Sequence, residues 1–281
     1  MTDYGHELLF GTFVTPNRNA VDLAVTADRA GLDLVTFQDH PYQPAFLDTW
    51  TLMAYAAART ERIRISGNVL NLPLRPPAVL ARAAASLDVL SGGRLELGLG
   101  AGAFPDGVAA MGGRKLTPGQ GIEALAEAIG IIRDLWNTGT RERVDHRGEY
   151  YQVSGAKRGP EPAHDIGIWI GAYKPKMLAL TGRLGDGWLP SLSYLPEGAG
   201  SLPGMNARID EAAVDAGRDP SAVRRLLNLG PQDAQPEQLA DLALNHGISG
   251  FIVAADDAAT AEMLAAEVAP AVRDIVKRER G

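Results

Sequence analysis

Apolar, β-branched runs alternate with runs of helical period along the whole chain. The strand-like runs cover residues 8–14, 34–38, 63–69, 94–100, 167–171, 187–190, 224–229 and 250–254. The amphipathic runs between and after them cover 20–30, 49–59, 78–90, 121–136, 176–184, 205–216, 237–245 and 258–277. Several strands read apolar on both faces, as in Ile63 and Ile65, in Leu95, Leu97 and Leu99, or in Phe251, Ile252 and Val253. Burial on both faces is what a parallel sheet covered by helices demands. Eight β-then-α units running in one direction predict an α/β fold, a closed (β/α)8 TIM barrel over residues 1–281, rather than an open doubly wound sheet.

Local signals point the same way. Gly31, Gly217 and Gly247 follow helical runs, where a left-handed residue is usual. Asp48 is placed to cap the second helix and Pro77 to open the third. Strand spacing is about 20–40 residues except between the fourth and fifth strands, where it is roughly 70. The excess holds residues 144–153, which read as an excursion hairpin. Residues 192–204, rich in Gly, Pro and Ser, follow the sixth strand as an irregular stretch of the kind that forms substrate lids.

Composition narrows the chemistry. Lys and Arg number 27 against 34 Asp and Glu, a net charge of −7 that argues against a broad nucleic-acid surface. With no cysteine there is no disulfide, thiolate nucleophile or thiolate metal site. No apolar run approaches a membrane span, and residues 1–6 lack the basic stretch and apolar core of a signal peptide, so a cytoplasmic protein is expected. The five histidines show no metal-ligand spacing, so no metal site is expected.

In a barrel of this kind the active site forms where strands run into the loops that follow them. Strand two ends in Gln38-Asp39-His40-Pro41: the imidazole suits general acid or base chemistry with Asp39 orienting it, or the group simply builds a turn. Strand three leaves through Gly67-Asn68-Val69, and a strand glycine marks a bulge or a close approach to a ligand. Strand four ends in Gly98-Leu99-Gly100-Ala101-Gly102-Ala103, and strand five in Gly171-Ala172-Tyr173-Lys174-Pro175. Small residues and exposed N–H groups there suit a phosphate, although plain strand–helix turns have the same composition and the dinucleotide fingerprint is incomplete.

Taken in combination, the stretches Phe37–Pro44, Ala57–Asn68, Pro77–Gly102 and Leu180–Trp188 resemble the bacterial luciferase-like monooxygenase superfamily. Asp39-His40 followed by Gln43-Pro44 is most similar to its deazaflavin-dependent branch, which uses coenzyme F-420. The resemblance implies a flavin or deazaflavin at the C-terminal mouth, with Asp39 on the pyrimidine edge of the ring and His40 beside the redox centre. It further implies a non-prolyl cis peptide at Asn68-Val69 beneath the ring, and a cofactor tail lined by Gly100, Gly102, Ala103, Gly171, Ala172 and Tyr173. One position departs from the sugar-phosphate dehydrogenases of that branch: Ala103 stands where they carry a Glu. Sugar-phosphate oxidation is therefore not carried over.

These residues lead to a hydride transfer between a small organic substrate and the deazaflavin coenzyme, with His40 handling the proton. The alternatives are an FMN-dependent monooxygenase fed by a separate flavin reductase, and a non-catalytic flavin-binding protein. The resemblance also implies a homodimer, for which the helix faces at 49–58 (Trp50, Met53, Ala54, Ala57) and 78–90 offer apolar surface. Trp50, Tyr42, Phe46, Phe104 and Tyr194 near the mouth suggest an apolar or aromatic pocket.

Overall fold

The computed structural model describes residues 3–281; Met1 and Thr2, part of the N-terminal stretch read above, lie outside the described residues. The chain runs β1 (Leu9–Val14), α1 (Ala20–Ala30), β2 (Leu34–Phe37), α2 (Thr49–Arg59), β3 (Arg64–Gly67, resumed at Leu70–Asn71) and α3 (Pro77–Ser91). It continues with β4 (Leu95–Gly100), α4 (Pro118–Trp136), β5 (Ile168–Ile170), α5 (Pro175–Leu184), β6 (Gly187–Trp188), α6 (Leu202–Asp215), β7 (Arg224–Leu229), α7 (Pro236–His246) and β8 (Gly250–Ala254). The last helix, α8, comprises Ala258–Met263, a π-turn at Leu264–Val268 and Ala269–Arg280. All the strand pairs of the ring are parallel; β1 lies between β2 and β8, and the pairing of β3 with β4 closes it. This is the (β/α)8 barrel that the alternation predicts.

Successive residues of a strand point to opposite faces, so each strand feeds two cores. Phe10, Phe37, Leu97, Ile170 and Phe251 pack outward under the helices. Leu34, Trp169, Leu189, Leu226 and Ile252 fill the barrel lumen, and the partly buried Phe13 and Val69 lie against them. Trp169 fits because its neighbour is glycine: a Cβ on Gly187 would stand 2.4 Å from the indole.

The helix ends explain most boundary differences from the sequence reading. Proline occupies the first turn of α3, α4, α5 and α7, where its fixed φ suits the helix and no donor is lost. Each of these helices therefore starts one to three residues before the periodicity does. Asp48 caps α2 by accepting from Thr51 N at 2.8 Å, and Gly31 and Gly247 close α1 and α7 at positive φ. The hairpin pairs Val144–Arg147 with Gln152–Ala156, three residues longer than expected. Its turn hangs on Glu127 of α4, which accepts from the backbone N–H of Glu149, Tyr150 and Tyr151.

Three features differ more substantially. A short helix, Pro105–Ala110, interrupts the loop after β4. The stretch at 192–204 is built from two 3₁₀ turns and the first turn of α6. Finally, Met53 and Ala57, offered as pairing surface, are buried against the chain's own barrel; the exposed apolar groups on α2 and α3 are Tyr55, Val79, Val89 and Leu90. Among the described residues no helix is long and apolar enough to cross a membrane, and no cluster of three His, Asp or Glu side chains could hold a metal ion.

Candidate active site at the barrel mouth

The mouth is organised around the exit of β3. The Asn68–Val69 peptide is cis, as the resemblance implies, and it separates the two parts of that strand. Val69 rests on β4 and β5, where the neighbouring strands carry glycine: a Cβ on Gly100 would come within 2.6 Å of Val69 Cγ2, and one on Gly171 within 3.3 Å. Both glycines thus seat Val69, which shares an apolar floor with Leu189, Ile252 and Phe13.

A polar belt crosses that floor. Asn68 Nδ2 donates to Asn228 Oδ1 at 2.6 Å, and Asn228 Nδ2 donates back to Asn68 Oδ1 at 3.1 Å. Asn68 Nδ2 also reaches the Thr36 hydroxyl at 3.1 Å, and Asn228 Nδ2 reaches Ser191 at 3.3 Å. The Ser191 N–H in turn donates to the Tyr173 hydroxyl at 2.9 Å. Strands β2, β3 and β7 and the loops after β5 and β6 are joined through these groups. Sequence reasoning missed Asn228, Ser191 and Thr36. Asn228 carried a readable signal, a polar residue set between Leu227 and Leu229 near the end of β7.

Asp39 and His40, adjacent in sequence, take different parts. Asp39 is buried and accepts three hydrogen bonds, each at 2.9 Å, from Asn71 N, Arg75 Nε and Arg75 Nη2. Arg75 also reaches Asp48 at 3.2 Å. The carboxylate therefore clamps the β3 exit to the β2 exit, and it makes no hydrogen bond to His40; the expected orienting role passes to another group. That group is Tyr42, whose hydroxyl lies 2.8 Å from His40 Nδ1. The imidazole is half-buried, with Tyr42 and Phe104 each 5.5 Å away between ring centroids and Phe46 at 6.4 Å. Burial holds its pKa below the ordinary imidazole range, with the Asp39 charge opposing, so the ring is neutral near pH 7. Its Nε2 has no hydrogen-bond partner among the described residues.

The remaining expected site residues gather at the same barrel end. Gly102 has φ of 87° and lies against Pro73, and Ala103 follows it at the start of the loop. Ala172 is buried, and its carbonyl accepts from Trp188 Nε1 at 2.9 Å. Tyr173 packs edge-on to Tyr194 on the far side of the mouth from His40. Burial raises the Tyr173 phenol pKa, against its hydrogen bond with Ser191. One buried acceptor here, Asn71 Oδ1, has no partner and sits near Gly102. An unpaired buried carbonyl, an apolar floor and aromatic walls together fit a planar heteroaromatic group bearing an N–H donor.

A closed (β/α)8 barrel with this mixed apolar and polar mouth at the carboxyl ends of its strands has the build of a small-molecule enzyme. More particularly, the chain belongs to the luciferase-like monooxygenase family, which it matches over residues 11–276. It is 33% identical over 238 residues to an F420-dependent glucose-6-phosphate dehydrogenase of Nocardia farcinica, covering 78% of this chain and 66% of that one. A second such relative, from Rhodococcus jostii, is 31% identical over 234 residues with the same coverage. The chain thus spans just under two thirds of the length of these curated relatives. Its fold is shared with an F420-dependent secondary alcohol dehydrogenase, solved in complex with an F420-acetone adduct, at a TM-score of 0.82 and 21% identity over 96% of this chain and 100% of that one.

Proposed function

We propose that this protein is an oxidoreductase that binds a deazaflavin coenzyme of the F-420 type across the barrel mouth and exchanges a hydride between it and a small organic substrate. The observation that carries the reading is His40: a neutral imidazole with Nε2 free at the exit of β2, at the barrel end that also holds Val69 and the Asn68–Asn228 pair. Relatives named for the same coenzyme support the choice over FMN.

When bound, the coenzyme supplies the carbon that gives or takes the hydride. Val69 and the Asn68 amide would lie beneath its ring, with Asn71 Oδ1 as an acceptor for a ring N–H. Gly100, Gly102, Ala103, Gly171, Ala172 and Tyr173 would line its tail. His40 holds the proton at the substrate oxygen, and Asp39 acts on that site through its charge and by fixing the loop that carries Asn71. Ala103 leaves no carboxylate in the loop position where sugar-phosphate dehydrogenases of this family carry one, so the substrate class of those relatives is not assigned.

Titration of the purified protein with the deazaflavin coenzyme and with FMN, followed by fluorescence, tests the reading. Binding of the deazaflavin at least tenfold tighter than FMN is expected, and His40→Ala should lower kcat by about 10²–10⁴ with little change in KM. Equal or tighter FMN binding, with oxygen consumption that requires a flavin reductase, would overturn it in favour of a monooxygenase. Stoichiometric binding without turnover of any donor would overturn it in favour of a binding protein. We further infer that two copies pair through the exposed faces of α2 and α3, where Tyr55, Val79, Val89 and Leu90 stand free. Light scattering that reports a monomer at micromolar concentration would refute the pairing.

A further inference from the structure

The His40 ring has one tied nitrogen and one free one, and the tie is built rather than incidental. The Tyr42 phenol that meets Nδ1 at 2.8 Å is held by both loops of that side of the mouth. Phe104 packs 5.9 Å from its ring, and the backbone of Gly107 comes so close that a Cβ there would lie 2.8 Å from the phenol carbons. The Asn71 side chain stands beside the hydroxyl.

Which atom carries the proton follows from acidity. A phenol O–H is a stronger acid than a neutral imidazole N–H, and an imidazole nitrogen is a stronger base than a phenol oxygen, so the favoured bond runs from Tyr42 O–H to Nδ1. Burial raises the phenol's pKa, the Asp39 charge adds to this and Asn71 opposes it, so Tyr42 keeps its proton near pH 7. The neutral imidazole then bears its own proton on Nε2, the nitrogen left free for a ligand.

Resting on the deazaflavin reading above, we propose that Tyr42 is a positioning residue that fixes His40 in the Nε2–H tautomer and so readies its free nitrogen to give a proton to the oxygen of a carbonyl substrate. In the step this wiring serves, a hydride from the reduced coenzyme adds to the carbonyl carbon and the C=O π pair moves onto oxygen. That oxygen takes the Nε2 proton and Nδ1 takes the Tyr42 proton; after the alcohol leaves, a solvent proton reaches Nε2 and Nδ1 returns its proton to the phenolate. The coenzyme leaves oxidised and the carbonyl leaves as an alcohol. The relay runs downhill because an alkoxide is a far stronger base than a phenolate. The reverse reaction would need Tyr42 ionised before an alcohol could give up its proton. With Ala103 in place of a carboxylate, that position supplies no second base, and Asp106 of the same loop is exposed and paired with Lys115.

Nitrogen NMR of the histidine-labelled protein without coenzyme tests the tautomer directly. We expect His40 above its titration to show a protonated Nε2 and an unprotonated Nδ1, with the Nδ1 signal displaced by its hydrogen bond and restored in Tyr42→Phe. A protonated Nδ1 in the unmutated protein, or an Nδ1 signal that Tyr42→Phe does not move, would overturn the proposal. With coenzyme loaded, cyclohexanone should reoxidise the reduced form at pH 7, and Tyr42→Phe should slow this at least tenfold while KM stays within twofold. Full speed in Tyr42→Phe would overturn the relay. Failure of the unmutated protein to bind the coenzyme at all would instead sink the underlying reading, and the nitrogen spectra would still judge the tautomer.

Discussion

Replacing Asp39 by Asn removes one charge from a pair whose side chains are 1% and 17% exposed and leaves the shape of the site unchanged. Breaking a buried ion pair by removing one partner costs about 3–5 kcal/mol, because the survivor is left charged and dry. Here Arg75 keeps Asp48 at 3.2 Å, a carboxylate 48% exposed, and Asn can still accept from Asn71 N, so a loss of about 2–3 kcal/mol is expected. Arg75→Met should cost slightly more, about 3–4 kcal/mol, since it leaves a buried carboxylate with a single backbone donor. The double variant removes both charges, and the two single losses should exceed the double loss by at least about 2 kcal/mol. Urea unfolding at pH 7 measures all four corners of this cycle; by heat, Asp39→Asn should melt roughly 5–10 °C lower. Losses that add within about 0.5 kcal/mol would show that the pair is not coupled, and Asp39 would lose its place as the clamp between the two exits.

Three further outcomes follow from the same geometry. Gly100→Ala puts a Cβ 2.6 Å from Val69 Cγ2, so it should lower stability by about 1–3 kcal/mol and weaken coenzyme binding at least tenfold, read by unfolding and by fluorescence titration. Asn228→Leu leaves the Asn68 amide without its partner across the mouth and should cost about 1–3 kcal/mol in urea unfolding, whereas a neutral result would mean that the belt carries no energy. His164 Nδ1 lies 2.8 Å from Asp88, and the Glu96 carboxylate beside Nε2, together with Asp88 and against burial, raises the pKa of that ring. A raised folded-state value stabilises fully below the unfolded pKa of about 6.5 and is lost as pH rises through the folded one, so the melting gap between His164→Gln and the unmutated protein should narrow from pH 5.5 to pH 9.

The barrel was legible because it is written in every strand. Residues 224–229 and 250–254 fall on β7 and β8 to the residue, each built around an apolar run, Leu226-Leu227 and Phe251-Ile252-Val253. Helix starts shifted wherever a proline, which adds nothing to an apolar stripe, supplied the first turn. The site was legible only as far as its strand ends. His40, Asn68 and the two glycines could be placed at the mouth from chain order alone, and the resemblance added the cis peptide. The partners of these groups could not be read, because they depend on how loops fold back. Arg75 reaches Asp39 across 36 positions, and Asn228 reaches Asn68 across 160. Even Tyr42, two residues from His40, meets its ring only because Gly107 and Phe104 hold it there.

Trp169 occupies lumen space that Gly187 gives up, and the side chains above it rest on that one indole. The floor of the mouth, the bottom of its bowl, is consequently braced from underneath, by a residue deep in the lumen. Trimming the indole would sink the bowl, and enlarging Gly187 with it would raise the bowl again. Such exchanges offer a lineage two opposed adjustments to the size of molecule it accepts, with every group on the rim left in place.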